Sequence, residues 1–467
     1  HYKYLKKEGE GISGSVGVDE SRLGKLREKL RNLKSLKEFS DAISGFSSEH
    51  ISEALEMILT GGIVLGASDV HLEPTEAKGI LRLRLDGILH TIEAPINLAI
   101  YKSIITRVKL LSNLKLNVSR EAQDGRFTID LKGDDVEIRT SVIPSEYGET
   151  VVMRILDPSA IKVSLEELGL REDDLEIVKG VITRPNGLIL NTGPTGSGKT
   201  TTLYAFLRTV ATDEVKVITI EDPIEYHLDG VSQTQVAGKG KTSGIKKDLK
   251  EALGAEDHEY TFASGLRSIL RQDPDVVLVG EIRDKETAGI ALNASLTGHI
   301  VFSTLHTNDA VGAVPRLYDL DVKPQILGSA LTLVIAQRLA RVLCVKCKVE
   351  KKLTDPEKKK IKKFLKGLPD KVDVSQYDEL KVFESKGCDS CGGVGFKGRI
   401  ALFELFFVSE ELEKLIYTQP TGVDLKEVAR EDGMVLIQED GVLKVLDGVT
   451  SFSEVERLTG KIEWFSK

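Results

Sequence analysis

An α/β architecture built around a parallel sheet is what this 467-residue sequence predicts, and three observations predict it. From about Leu168 to Leu343, short apolar runs alternate with segments of helical spacing, the pattern of parallel strands covered by helices on both faces. A glycine-rich turn, Gly193-Pro194-Thr195-Gly196-Ser197-Gly198-Lys199-Thr200, stands between one of those runs and a helical segment. Acidic residues follow two further runs, at Glu221-Asp222 and at Glu281. In an open parallel sheet, ligands gather beyond the carboxyl ends of the strands, so those acids fall on the ligand side.

Composition narrows the classes. At roughly 100 to 200 residues per domain the chain is long enough for two to four domains. Charged residues make up 29%, hydrophobic ones 41%, and the net charge is -8, which excludes wholesale disorder. The acidic balance and 5% aromatics argue against a pervasive basic surface, so no direct nucleic-acid partner is expected. No window approaches the roughly 18 apolar residues of a spanning helix, and the start His-Tyr-Lys-Tyr-Leu-Lys-Lys lacks a signal peptide's apolar stretch. A cytoplasmic location without a transmembrane segment is the expectation. Beginning at His1, the chain reads as a fragment of something longer.

Residues 1–48 read as a Gly/Ser linker followed by a solvated helix carrying Leu23, Leu26, Leu30 and Leu33. Residues 49–160 read as an α/β module. It opens with a helix through Ile51, Leu55 and Ile58, and then alternates at Ile80 to Gly87, which puts Arg82 and Arg84 on one strand face and the leucines on the other. A helix from Ile100 to Leu114 and strands at 125–131, 136–142 and 150–155 complete it. Residues 168–343 form the parallel-sheet domain, with strands at 188–191, 215–220, 276–279 and 300–303. Between the second and third lies 237–258, Lys-rich and Gly-punctuated, read as a surface insertion with a short helix through Ile245, Leu249 and Leu253. A cysteine-bearing lobe, 344–400, and a helical region, 401–467, follow.

The glycine-rich turn fits a phosphate-binding loop, with a strand before it and the helix beginning Thr201-Thr-Leu-Tyr after it. Glycines let successive N–H groups turn inward around phosphates, and the helix N-terminus adds partial positive charge. Lys199 would reach the β and γ phosphates of ATP, and Thr200 would offer an oxygen to magnesium. Where such enzymes end a strand in a magnesium-holding Asp, this sequence has Gly280 and then Glu281. Glu281 is therefore the expected group that orients or deprotonates the attacking water, with Glu221 a further acid toward the metal. Asp275, at the opposite strand end, reads as a turn or cap residue.

His299 and His306 flank the last strand and stand on the order of 20 Å apart along it, so they share no metal. His306 is the candidate sensor of the γ phosphate, while His299 either reaches a neighbouring subunit or satisfies the core. Arg267, Arg271 and Arg283 surround the acidic strand, and Arg82 and Arg84 are further candidates to reach the phosphates. The four cysteines form two pairs, Cys344-x-x-Cys347 and Cys388-x-x-Cys391. They match a closed tetrathiolate site for structural zinc, with a redox pair and an iron-sulfur cluster as alternatives.

With these residues in hand, the chain resembles the secretion ATPase superfamily, specifically the type II secretion and type IV pilus assembly ATPases. Gly66-Ala-Ser-Asp-Val-His-Leu-Glu-Pro74 and Gln123-Asp-Gly-Arg126 resemble its N-terminal motifs, and Gly193 to Thr200 its Walker A loop. Thr219-Ile-Glu-Asp-Pro-Ile-Glu225 resembles its Asp box, Arg271 to Asp284 its atypical Walker B motif, and Gly298 to Thr307 its His box. The resemblance implies a RecA-like ATPase core, a smaller PAS-like N-terminal domain and a homo-hexamer. It also implies peripheral attachment to the inner membrane through a platform protein of pilus or secretion machinery. The cysteine pairs favour extension of a pilus or pseudopilus over a retraction or conjugation motor. Pilus assembly is the leading expectation, type II secretion the alternative, and an ATP-dependent scaffold with little hydrolysis the third. Departures are Ala122 where relatives carry Pro, the 237–258 insertion, and a reduced N-terminal docking region.

Overall fold

The structure, a computed structural model, describes residues 36–43, 51–130, 135–156, 162–236 and 260–465. Most of the expected N-terminal linker and helix, and the 237–258 insertion, lie outside the described residues. Two compact units divide the chain: one takes the residues up to Ala160 together with Cys344–Lys348 and Ser385–Gly398, the other takes the rest.

The first unit is built on a six-stranded antiparallel sheet of β1 (Ala67–Pro74), β2 (Gly79–Leu85), β3 (Ile88–Ile96), β4 (Gln123–Asp130), β5 (Asp135–Ser145) and β6 (Gly148–Leu156). Its order is β3-β2-β1-β6-β5-β4. Helices Ile51–Val64 and Leu98–Leu111 supply Leu55, Ile58, Ile104 and Val108 to the core beside Val70, Leu72, Leu81 and Leu83. Period-two alternation explains β2: Leu81 and Leu83 are fully buried, whereas Arg82 and Arg84 point away from them. The sequence reading missed β1 and β3, whose short runs carry polar residues on one face.

The second unit holds a seven-stranded sheet in the order β15-β12-β7-β11-β10-β8-β9. Its members are β7 (Gly187–Thr192), β8 (Val217–Glu221), β9 (Val231–Gln235), β10 (Val276–Val279), β11 (Ile300–Leu305), β12 (Leu331–Leu343) and β15 (Phe396–Phe407). Strands β12, β7, β11, β10, β8 and β9 pair in parallel. Successive residues face opposite layers: Leu188 and Leu190 join one core cluster with Val277 and Val301, while Ile189 joins the other with Leu278 and Phe302. Burial on both faces explains why these strands read as unbroken apolar runs. A small ribbon of β13 (Lys348–Lys351) and β14 (Val382–Ser385) flanks the exposed helix Asp355–Leu365.

Three expectations change. Four strands were expected in the parallel sheet, and β9, β12 and β15 add to them. The region from Leu402 was expected to be helical, yet β15 runs to Phe407, sending Phe403 and Leu405 to one core and Phe406 to the other. A short apolar run offers no periodicity that separates a buried strand from a buried helix. Helices begin only at Glu410 and continue to Thr459. The 344–400 span, expected as one lobe, is shared between the two units.

Candidate active site

Strand β7 delivers the chain into the glycine turn, and helix Lys199–Val210 takes it away. Gly193, Gly196 and Gly198 have φ of 147°, 78° and 92°. Two of them are also sterically required. A Cβ on Gly193 would lie 2.5 Å from the Gln337 carbonyl oxygen and 2.8 Å from Ser197 Oγ, and one on Gly198 would lie 2.8 Å from Gln337 Nε2. Pro194 and Thr195 are exposed on the turn, Thr200 is exposed in the first turn of the helix, and Thr201 is half-buried beside it.

Lys199 folds back over the turn, donating from Nζ to the carbonyls of Gly193 at 2.7 Å and Pro194 at 3.2 Å. Burial holds its ammonium below the usual range, Glu281 opposing that shift and Arg338 adding to it. Ser197 Oγ is buried with no hydrogen-bond partner among the described residues. An orphaned hydroxyl, a lysine that donates to carbonyls and a glycine cradle with no room for a Cβ at Gly193 or Gly198 are what a bound phosphate would complete. The residues present fit a nucleoside triphosphate.

Glu281 follows β10. Gly280 donates its N–H to Ile220 O at 2.8 Å, and a Cβ there would stand 3.3 Å from that oxygen, a tight approach. Glu281 is nearly buried, with Oε2 2.5 Å from Arg283 Nε and 3.7 Å from His306 Nε2. Burial and the Lys199 and Arg283 charges hold His306 below the usual histidine range against the pull of Glu281, leaving the ring neutral at pH 7. Thus Lys199, Glu281, Arg283 and His306, from three separate stretches of sequence, meet at one end of the sheet. The hydroxyls of Ser303 and Thr304, on the strand that leads to His306, donate to the β10-end carbonyls of Val279 and Gly280, each at 2.7 Å.

The other candidates are placed differently. Glu221 is buried behind the loop helix, accepting from Tyr204 OH at 2.5 Å, Thr219 Oγ1 at 2.6 Å and Gln233 Nε2 at 3.2 Å. Three donors from its own unit orient it. Arg267 pairs with Glu286, and Arg271 caps its own helix through Arg267 O and Ser268 Oγ. Of these three arginines only Arg283 meets Glu281. In the first unit, Arg82 pairs with Glu73 at 3.4 Å and Arg84 with Asp69 at 3.2 Å. His299 Nδ1 lies 3.1 Å from Ala294 O at the end of a helix. Asp275 accepts the Lys216 N–H at 2.7 Å, tying the start of β10 to the start of β8 across the sheet, a long-range contact where a local turn or cap was expected.

Sequence reasoning missed Asn191, Gln337 and Arg338. Gln337, 1% exposed, accepts from Asn191 Nδ2 at 3.0 Å and Thr202 Oγ1 at 2.9 Å, fastening β12 to both β7 and the loop helix. A polar Gln-Arg pair interrupting the apolar run Leu331 to Ala336 was the available signal.

The cysteines meet within the first unit. Their sulfurs all lie within 4.8 Å of one another, with Cys344–Cys388, Cys347–Cys391 and Cys388–Cys391 each at 3.8 Å. A tetrahedron with bonds of about 2.3 Å to zinc has edges of about 3.8 Å, so the donor set fits that ion. Burial pushes the Cys391 thiol up, but N–H donors from Cys388 and Gly395 outweigh it and hold it at about 7.

Comparison with known proteins places these features together. A family model described as "Type II/IV secretion system protein" matches residues 46–457. The type II secretion system ATPase E of Vibrio cholerae is 39% identical over 458 residues, covering 98% of this chain and 84% of that protein. The type IV pilus assembly ATPase TfpB of Acinetobacter baylyi is 41% identical over 414 residues, covering 88% and 66%. Among solved structures, the Legionella pneumophila ATPase DotB superposes with a TM-score of 0.59 at 20% identity, covering 86% of this chain and 94% of its own. The pilus retraction motor PilT with bound ADP gives 0.54 at 25% identity, covering 88% and 97%. The RecA-like core with a smaller PAS-like domain is thereby a fold shared with the solved ATPase DotB and the pilus retraction motor PilT.

Proposed function

Because the chain belongs to the type II/IV secretion system protein family, whose members here are ATPases, we propose that it hydrolyses ATP at the 193–200 loop and drives filament assembly. The observation that carries this reading is the convergence of Lys199, Glu281 and His306 on one site. Loop N–H groups and Lys199 hold the phosphates, and Thr200 holds magnesium, which neutralises charge on the phosphate oxygens when bound. Glu281 orients a water and takes its proton as that water attacks the γ phosphorus. ADP then departs carrying the bridging oxygen. Neutral His306 donates a hydrogen bond toward the terminal phosphate, and Arg283 pairs with the Glu281 carboxylate and aims it. Glu221 and the remaining arginines, Arg82, Arg84, Arg267 and Arg271, are proposed to act on metal or phosphates in the assembled enzyme.

The chain works as a cytoplasmic homo-hexamer held at the inner membrane by a platform protein, turning cleavage into movement of its units. Assembly of a type IV pilus is the leading output, supported by the 41% identity to a pilus assembly ATPase. Pseudopilus assembly in type II secretion is the second reading, favoured by the 98% coverage of this chain by a secretion ATPase. Zinc on Cys344, Cys347, Cys388 and Cys391 staples the cysteine knuckle and leaves no open position for chemistry. Phosphate release from ATP and MgATP binding, measured for wild type and Lys199→Ala, test the reading. The variant should bind at least about tenfold more weakly, since hydrogen bonds to charged groups contribute roughly 1.5–3 kcal/mol. Equal affinity would remove the loop from the reaction.

A further inference from the structure

Arg338 sits on β12 directly beside the phosphate loop. A Cβ on Gly193 would lie 3.2 Å from its Nη1, and its charge is among those acting on Lys199. The guanidinium donates to main-chain carbonyls, Nη1 to Gln337 O at 3.0 Å and Nη2 to Asn308 O at 2.6 Å. Among the described residues it forms no ion pair with a carboxylate, and Asp309 and Glu404 act on it only from longer range. Burial holds it below the usual arginine range, the mark of a partly desolvated cation without a close counter-ion. A guanidinium carries five N–H donors in a fork that matches phosphate, and carbonyl oxygens are weaker partners for it than an anion. Gln337 fixes the strand beneath it, because its Oε1 is held at once by Asn191 of β7 and Thr202 of the loop helix. The cation is therefore held rigidly at the edge of the cradle.

We propose that Arg338 is a phosphate-binding residue acting within its own chain, contacting the triphosphate of ATP seated on Gly193 to Thr200 and giving up the Asn308 carbonyl as it does so. Asn308 lies two residues beyond His306. Nucleotide arrival would thus change the anchoring of the very segment that carries the histidine, without any partner subunit. The inference rests on the phosphate-loop reading, and the test separates the two.

Binding of MgATP to the whole chain would be followed by titration calorimetry for wild type, Arg338→Gln and Arg338→Lys, with the thermal midpoint measured alongside. The glutamine variant should bind MgATP about tenfold to a hundredfold more weakly at an unchanged midpoint, with lysine intermediate. Unchanged affinity, with or without a lower midpoint, would mean that Arg338 only braces the Asn308 loop and would overturn the proposal. Should the glutamine variant fail to fold, the lysine variant decides: affinity several-fold below wild type supports the contact, and equal affinity overturns it. Wild type that binds no MgATP would instead refute the phosphate-loop reading itself.

Discussion

Glu454 has a fully buried side chain yet stays charged, because Arg341 and Arg457 surround it. It accepts from Arg341 N at 3.0 Å and Nη2 at 2.8 Å, and from Arg457 Nε at 2.9 Å and Nη2 at 2.6 Å. Burial alone would raise its pKa, but these donors outweigh that and hold it down to about 2. A carboxylate depressed in the folded state contributes stability above its unfolded pKa and loses it as pH falls toward the folded one. From an ordinary glutamate value of 4.5 down to about 2, that contribution is on the order of 3 kcal/mol. Unfolding followed by circular dichroism should therefore show the wild type weakening between about pH 4.5 and 2, and Glu454→Gln less stable at pH 7 with a shallower acid loss. Parallel pH profiles would refute the assignment. Such residues show how far a sequence can be read: the glycine loop, Glu281 and the cysteines stand in short motifs whose chemistry depends on near neighbours. Glu454 was invisible, and Gln337 and Arg338 showed only as a polar break after an apolar run, because each takes its meaning from partners that only the fold brings alongside.

Elements were legible where their periodicity was long and lost where it was short. Helix Ile51–Val64 and the alternating β2 announce themselves, whereas β12 and β15 look like any buried apolar run, and β9 lies at the sheet edge with mixed burial. The cysteine knuckle is the opposite case, since its spacing declares the ligand set before any fold is known. Its two halves come from Cys344–Lys348 and Ser385–Gly398, so whatever joins their sulfurs closes a chain excursion that includes the helix Asp355–Leu365. Metal analysis should find about one zinc per chain, and chelation should lower the thermal midpoint by at least about 5 °C, since structural zinc binding is folding free energy. A metal-free chain that melts at the same temperature would contradict the zinc assignment.

At the scale of the molecule, the proposed function places the site in a ring of six copies. Sedimentation with MgATP should show six copies per particle; a monomer with full turnover would remove the ring from the proposal. Glu281 lies close enough to Lys199 for each charge to act on the other, although 82 residues separate them, and that closeness is the centre of the account. The most direct measurement compares wild type with Glu281→Gln for MgATP affinity and for phosphate release under the same conditions. Affinity should stay within about threefold while turnover falls by at least about a hundredfold, the range expected for loss of a positioned general base. Turnover equal to wild type would show that the carboxylate takes no part in hydrolysis.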